Sequence, residues 1–202
     1  MEKSALIIFQ KNAVLGKVKT RLSVDVGDES AMKIYQELVR HTHHVCGSVP
    51  VQKFLFLSDF IPDDVSEFGQ DYNFEIQSGN DLGSRMENAF QRLFSNGYEK
   101  IVLLGTDCGE LEKGTVFEAF NLLDRHEVVI GPARDGGYYL LGMTKMIPDL
   151  FEEIPWSTEK VLFLTMEKLE IQNISYDLLE ILSDVDRVED WIKLKEKQKV
   201  QS

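Results

Sequence analysis

The sequence predicts an α/β fold, a mixed and mainly parallel sheet with helices on both faces, and three observations carry that prediction. Short continuous apolar runs recur at Ala5–Phe9 (ALIIF), Phe54–Leu57, Ile101–Leu104 and Val128–Ile130, the pattern of strands buried on both faces of a parallel sheet. Stretches of helical period lie between them. Turn signals separate the two kinds of segment, and strands alternating with helices imply this architecture.

Each element has its own signal. After the turn at Gly27-Asp28, the spacing of Ala31, Ile34, Leu38 and Val45 predicts a helix. Met86, Phe90, Leu93 and Phe94 predict a second, closed by Gly97. Val116, Phe117, Phe120 and Leu123 predict a third, with Thr115 and Glu118 placed as a capping box. Beyond Ile130 the rhythm changes: residues 136–142 (GGYYLLG) predict a strand with aromatic alternation, followed by a helix over about 157–169. A last amphipathic helix carries Val188, Trp191 and Leu194, and its Lys-rich end, 193–199, reads as a solvated terminus.

At 202 residues the chain has the length of one domain, spanning 1–202, with 43% hydrophobic and 28% charged residues. Twenty-two Lys and Arg against thirty-four Asp and Glu give a net charge of −12, a field that repels nucleic acid. No apolar run reaches the roughly 18 to 20 residues needed to span a bilayer, and Met1-Glu2-Lys3-Ser4 opens without a signal-peptide pattern. A cytoplasmic protein without a membrane span is expected. Cys46 and Cys108 are too few for a disulfide framework or a zinc site.

In open α/β sheets ligands bind beyond the carboxyl ends of the strands. The segments there are 10–22, 58 onward, 77–85, 105–111 and 131–137. From Lys3 to Val24 there are five basic residues and no acidic one. Gly16, Lys17, Lys19 and Arg21 in that stretch suit a loop that cradles phosphates, although the P-loop spacing is absent and a solvated basic loop would look the same. Gly105-Thr106-Asp107-Cys108 puts a carboxylate at a strand tip, suited to holding magnesium or to an ordinary turn. Cys108, lacking a nearby His, reads as a small buried residue. Asp135, ahead of Gly136 and Gly137, could accept a bond from a sugar or acceptor hydroxyl, or form a tight hairpin turn. Asp184 and Asp186 stand at i and i+2 before a helix; Asp186 could cap it or complete a metal site begun by Asp107.

Weaker candidates remain. His41, His43 and His44 read as surface residues. Gln77, Gly79, Asp81, Leu82, Gly83 and Arg85 precede a helix start that could receive a base or a phosphate. Pro155-Trp156-Ser157-Thr158 offers a stacking ring, with Ser157 able to cap the next helix.

Together these segments resemble a family of small bacterial and archaeal proteins of unknown function placed with the nucleotide-diphospho-sugar transferases, the A-type glycosyltransferase-like proteins. The matching residues are Gly16–Leu22 (GKVKTRL), Asp81-Leu82-Gly83 with Arg85-Met86, Gly105–Cys108, Gly131–Tyr138 (GPARDGGY), Pro155–Thr158, and Asp184-Val185-Asp186 with Glu189-Asp190. The resemblance implies a Rossmann-like A-type glycosyltransferase fold with about seven strands. It implies a magnesium- or manganese-dependent transferase acting on a nucleotide sugar and a small acceptor. The alternatives are a nucleotidyltransferase joining a nucleoside triphosphate to a phosphorylated small molecule, and a silent nucleotide-binding protein. The resemblance gives Asp107 and Asp186 the metal, and Lys17, Lys19 and Arg21 the phosphates. Of the candidates, Asp135, Lys19 and Arg21 stand as catalytic and Gly16, Lys17, Gln77, Leu82, Gly83, Thr106, Gly136 and Gly137 as ligand-binding. Departures from the pattern are a stretch without proline before Gly16, Gly109 in place of a proline, and Arg187 in place of a threonine.

Overall fold

The computed structural model describes residues 3–68 and 71–201. Seven strands form one sheet: β1 (Ser4–Gln10), β2 (Gln52–Leu57), β3 (Tyr72–Ile76), β4 (Lys100–Gly105), β5 (Val128–Pro132), β6 (Tyr138–Met143) and β7 (Tyr176–Leu178). Their order is β3-β2-β1-β4-β6-β5-β7. All pairings are parallel except those of β6, which runs antiparallel to β4 and β5. The helices are α1 (Thr20–Val26), α2 (Asp28–Gly47), α3 (Leu82–Ser95), α4 (Lys113–Leu122), α5 (Val161–Ile171) and α6 (Val188–Gln201).

The apolar runs are continuous because the central strands are covered on both sides. Ala5, Ile7 and Phe9 of β1 face one layer with Phe54, Leu103 and Leu141, under Met86, Phe90 and Leu93 of α3 and Leu169 of α5. Leu6 and Ile8 face the other with Leu55, Leu104 and Leu140, under Val45 of α2 and Val116 and Ala119 of α4. A third cluster joins Leu22, Ala31, Ile34 and Leu38 to Val185 and Leu194, packing α1, α2 and α6 together. The edge strands β3 and β7 lack such runs because they are only partly buried.

Several local expectations are corrected. α4 begins at Lys113, so Thr115 lies inside the helix, where its hydroxyl donates to Glu180 Oε1 at 3.2 Å. The capping box sits on α3: Asp81 accepts from the Ser84 amide at 2.7 Å, and Ser84 Oγ accepts from the Asp81 amide at 3.1 Å. α5 starts at Val161, and Ser157 turns through a left-handed φ of 65° without capping it. The basic end of α6 is not merely solvated: Lys195 pairs with Glu37, and Lys197 pairs with Glu110 at 2.9 Å. His44 is exposed, but His43 is largely buried between Gln10 and Tyr72.

Candidate active site

Beyond the carboxyl ends of β1 and β4 opens a cleft of about 620 Å³, within the usual size range of small-molecule sites. Its floor includes Phe9, Gly105 and Thr106, and Leu82 and Trp156 form part of its wall. The loop leaving β1 is held by Asn12, buried and fully engaged. Its Oδ1 accepts from the amides of Asp59 at 2.9 Å and Phe60 at 3.2 Å, and its Nδ2 donates to Phe60 O at 2.8 Å. This clamp, together with the positive φ of Gly16 at 75°, shapes a loop that has no proline to stiffen it.

The loop ends at Lys19, which adopts the left-handed conformation (φ 49°, ψ 43°) immediately before α1. Such a conformation in a non-glycine residue costs energy and persists where surrounding contacts impose it. Here the contacts are an oxygen cage. Lys19 Nζ lies 2.6 Å from Asp107 Oδ1 and 3.7 Å from Asp186 Oδ1, and donates to Val185 O at 2.6 Å. The Lys19 side chain is 4% exposed, whereas Asp107 and Asp186 are 45% and 43% exposed and face the cleft. Arg21 Nη1 reaches Asp186 Oδ2 at 3.3 Å from a side chain that is 66% exposed.

Asp107 and Asp186 are far apart in sequence, and backbone pairing brings them together. The Asp107 carbonyl accepts from the Val185 amide at 2.9 Å, Cys108 bridges to Asp184, and Leu182 bonds Pro132 at the end of β5. Asp186 does not cap α6; Asp190 folds back to accept from the Asp186 and Arg187 amides. Asp184 is half-buried beside this group, and its carboxyl is pushed up to about 7 by desolvation first and then by the charge of Asp107. Cys108 is buried, and burial pushes its thiol up as well, away from the thiolate form that a nucleophile requires.

Asp135 lines the cleft from the β5–β6 turn, where its Oδ1 accepts from the Gly137 amide at 2.9 Å. The turn reading and the cleft reading of this residue therefore hold together. Gln77, Leu82, Thr106 and Gly137 line the cleft too. Gly16, Lys17, Gly83 and Gly136 do not. Lys17 lines a separate groove of about 240 Å³ with Lys11, Asn12, Ser58, Asp59 and Arg85. Gly83 is packed under Trp156, and Gly136 (φ 88°) lies against the Glu159 backbone; a side chain at either would collide.

A family described as an uncharacterized protein conserved in bacteria (DUF2064) matches residues 42–158. The structure of a protein from Desulfovibrio desulfuricans G20, provisionally assigned as a nucleotide-diphospho-sugar transferase, is 34% identical. It superposes with a TM-score of 0.92 over 98% of this chain and 89% of that one. The chain belongs to this DUF2064 family. Its fold is shared more widely. The 4-diphosphocytidyl-2C-methyl-D-erythritol synthase of Anaerococcus prevotii DSM 20548 aligns with a TM-score of 0.65 at 12% identity, over 98% of this chain and 96% of that one. The inositol-1-phosphate CTP transferase of T. maritima aligns at 0.57 and 16%, over 98% and 97%. A search of curated proteins gave no match.

The DUF2064 chain thus has the nucleotide-diphospho-sugar transferase fold expected for it, and its cleft also holds residues that pattern reading passed over. Tyr35 of α2 lines the cleft, donates to Lys11 O at 2.6 Å and fixes the start of the basic loop. A single Tyr in an amphipathic helix resembles any other core position, so no sequence signal marked it. Gly109, where the resemblance leads one to expect a proline, has a reason in this chain: a Cβ there would lie 2.3 Å from Leu194 Cδ2 of α6.

Proposed function

We propose that this protein is a metal-dependent transferase acting on a nucleotide-activated substrate, and that the reaction is glycosyl transfer from a nucleotide sugar to a small acceptor. The observation that supports it most is the convergence of Asp107 and Asp186 on one cation at the edge of a cleft large enough for a nucleotide. Both carboxylates are hard oxygen donors of the kind magnesium and manganese prefer, and the Lys19 ammonium between them already stands where positive charge is required. Among the described residues no three His, Cys, Asp or Glu side chains form a metal cluster of their own. Magnesium is commonly held by one or two carboxylates, with substrate phosphates completing its shell. The donor set therefore fits, with Asp107 and Asp186 as the holders. When bound, such an ion neutralises the charge that develops on a leaving diphosphate.

The chain's own residues supply the rest. Arg21, exposed above Asp186, is placed to contact a phosphate oxygen that approaches the acid pair. Trp156, Leu82 and Phe9 offer apolar surface to a base or sugar. Asp135, which also lines the cleft, meets an acceptor or sugar hydroxyl. Nucleotidyl transfer is the second reading, favoured by the fold shared with the CTP transferase of T. maritima.

The leaving group separates the two. With magnesium or manganese and a panel of nucleotide sugars, we expect slow release of nucleoside diphosphate, abolished by Asp107→Asn. Release of pyrophosphate from a nucleoside triphosphate and a phosphorylated small molecule, with every nucleotide sugar intact, would overturn glycosyl transfer in favour of the second reading.

A further inference from the structure

We infer that Lys19 is a resident counter-cation that a divalent ion must displace from between Asp107 and Asp186, so that the free protein resists metal until nucleotide arrives. The inference rests on the proposed metal role of those two aspartates and concerns how that site is kept before use.

Three observations carry it. First, the ammonium is not a mobile surface charge. It is buried, and three oxygens surround it: Asp107 Oδ1 at 2.6 Å, Val185 O at 2.6 Å and Asp186 Oδ1 at 3.7 Å. An ammonium has three N–H donors and no acceptor; Asp107 and the Val185 carbonyl are within hydrogen-bond reach, and Asp186 at 3.7 Å adds a longer ion pair. Second, the backbone is committed to this arrangement. Lys19 takes a left-handed conformation that a lysine rarely adopts, and no side-chain cap at the start of α1 compensates for it. The residue is turned so that its side chain enters the acid pair. Third, the surrounding charge needs a cation. Asp107, Asp135, Asp184 and Asp186 all face this end of the cleft, against Lys19 and Arg21. Removing Lys19 leaves these carboxylates facing the exposed Arg21, whose charge is screened by solvent.

A divalent ion and a buried ammonium on the same two carboxylates compete directly. Coulomb repulsion between them at a few ångströms is strong in a partly buried site. A metal ion that arrives alone must therefore expel the ammonium from its cage. One that arrives with a diphosphate brings anionic oxygens to which the displaced ammonium can turn. Lys19 would thus make metal binding conditional on nucleotide, a positioning and gating role in addition to any contact with phosphate.

The test is a titration of Mn²⁺, with the free ion followed by its electron paramagnetic resonance signal, on the intact protein without nucleotide. Lys19→Met should bind Mn²⁺ at least about tenfold tighter than the wild type, while Lys19→Arg, which keeps the charge, should stay weak. The gain should vanish in Lys19→Met/Asp107→Asn. Equal or weaker binding by a folded Lys19→Met protein would overturn the inference, as would a gain that survives Asp107→Asn. A parallel titration with nucleoside diphosphate present separates the two levels. If the wild type then binds Mn²⁺ in an Asp107-dependent way but Lys19→Met shows no gain without nucleotide, the gating role alone fails. If Asp107→Asn has no effect in any titration, the metal assignment on which it rests fails too.

Discussion

Trp156 rests on Gly83 so closely that a Cβ added there would lie 2.0 Å from the indole Nε1 and 2.3 Å from Cε2. Gly83 is buried in the first turn of α3, and Trp156 packs beside Phe151 and Tyr138 while forming part of the cleft wall. The glycine therefore acts on the site indirectly, by letting the indole approach the helix.

Gly83→Ala should push the indole toward the cleft at a cost of about 1 to 3 kcal/mol, the usual penalty of overpacking. Urea denaturation would report the loss of stability, and tryptophan fluorescence would report the shifted ring. Unchanged stability with a shifted spectrum would mean that the wall yields freely; no change in either would contradict the packing itself.

His43 makes stability depend on pH. Gln10 Oε1 can only accept, so the ring donates from Nε2 at 2.7 Å, and Nδ1 accepts from the Tyr72 hydroxyl at 3.0 Å. Burial pushes the imidazole down to about 4. Between that value and its ordinary 6.5, the unfolded chain binds more protons than the folded one. The contribution is therefore complete above pH 6.5 and lost as pH falls toward 4, amounting to about 3 kcal/mol at most. Denaturant unfolding at pH 7.5 and pH 5, compared with His43→Gln, should show a smaller pH-dependent loss in the variant. Parallel losses in the two proteins would remove His43 from the account.

What the sequence made legible follows burial. β1, β2, β4 and β5 announced themselves because apolar side chains fill both faces, while β3 and β7 carry mixed residues such as Asn73, Glu75 and Asp177 at exposed edges. The cleft could be anticipated as a set of loops, since strand ends follow from strand positions. Which residues of a loop turn inward was a different matter. Lys17 and Lys19 are two apart, yet one reaches a side groove and the other is buried between aspartates, because Gly16 and Lys19 both take positive φ. That conformation has no signature in residue type when the residue is a lysine. Asp184 and Asp186 were visible as a pair, but their meeting with Asp107 depends on a backbone bond from Val185, which no local pattern encodes.

Arg21 should matter to ligands that carry a diphosphate and little to those that do not. Its guanidinium is exposed and held at 3.3 Å by Asp186. Solvent screening therefore places the effect of Arg21→Ala near the lower end of the roughly 1 to 3 kcal/mol of a charge-assisted hydrogen bond. Calorimetry with a nucleoside diphosphate and with the matching nucleoside would separate these. Equal losses for both would assign Arg21 to the fold.

Asp135 offers the sharpest test of chemistry against architecture, because its two roles reside on one carboxylate. Oδ1 holds the turn through the Gly137 amide at 2.9 Å, and the residue lines the cleft. Asp135→Ala removes both roles, whereas Asp135→Asn keeps a carbonyl oxygen to accept from Gly137 and removes only the charge. If the carboxylate activates or orients a hydroxyl, Asp135→Asn should lower kcat by about a hundredfold or more, the usual minimum for a lost general base. Nucleotide affinity and unfolding midpoint should stay close to those of the wild type. If the turn is all that matters, Asp135→Asn should keep its turnover and only Asp135→Ala should lose it, with stability falling in parallel. Turnover of a nucleotide sugar by the two variants, set beside their nucleotide binding, therefore decides whether this aspartate takes part in the reaction or merely closes the hairpin between β5 and β6.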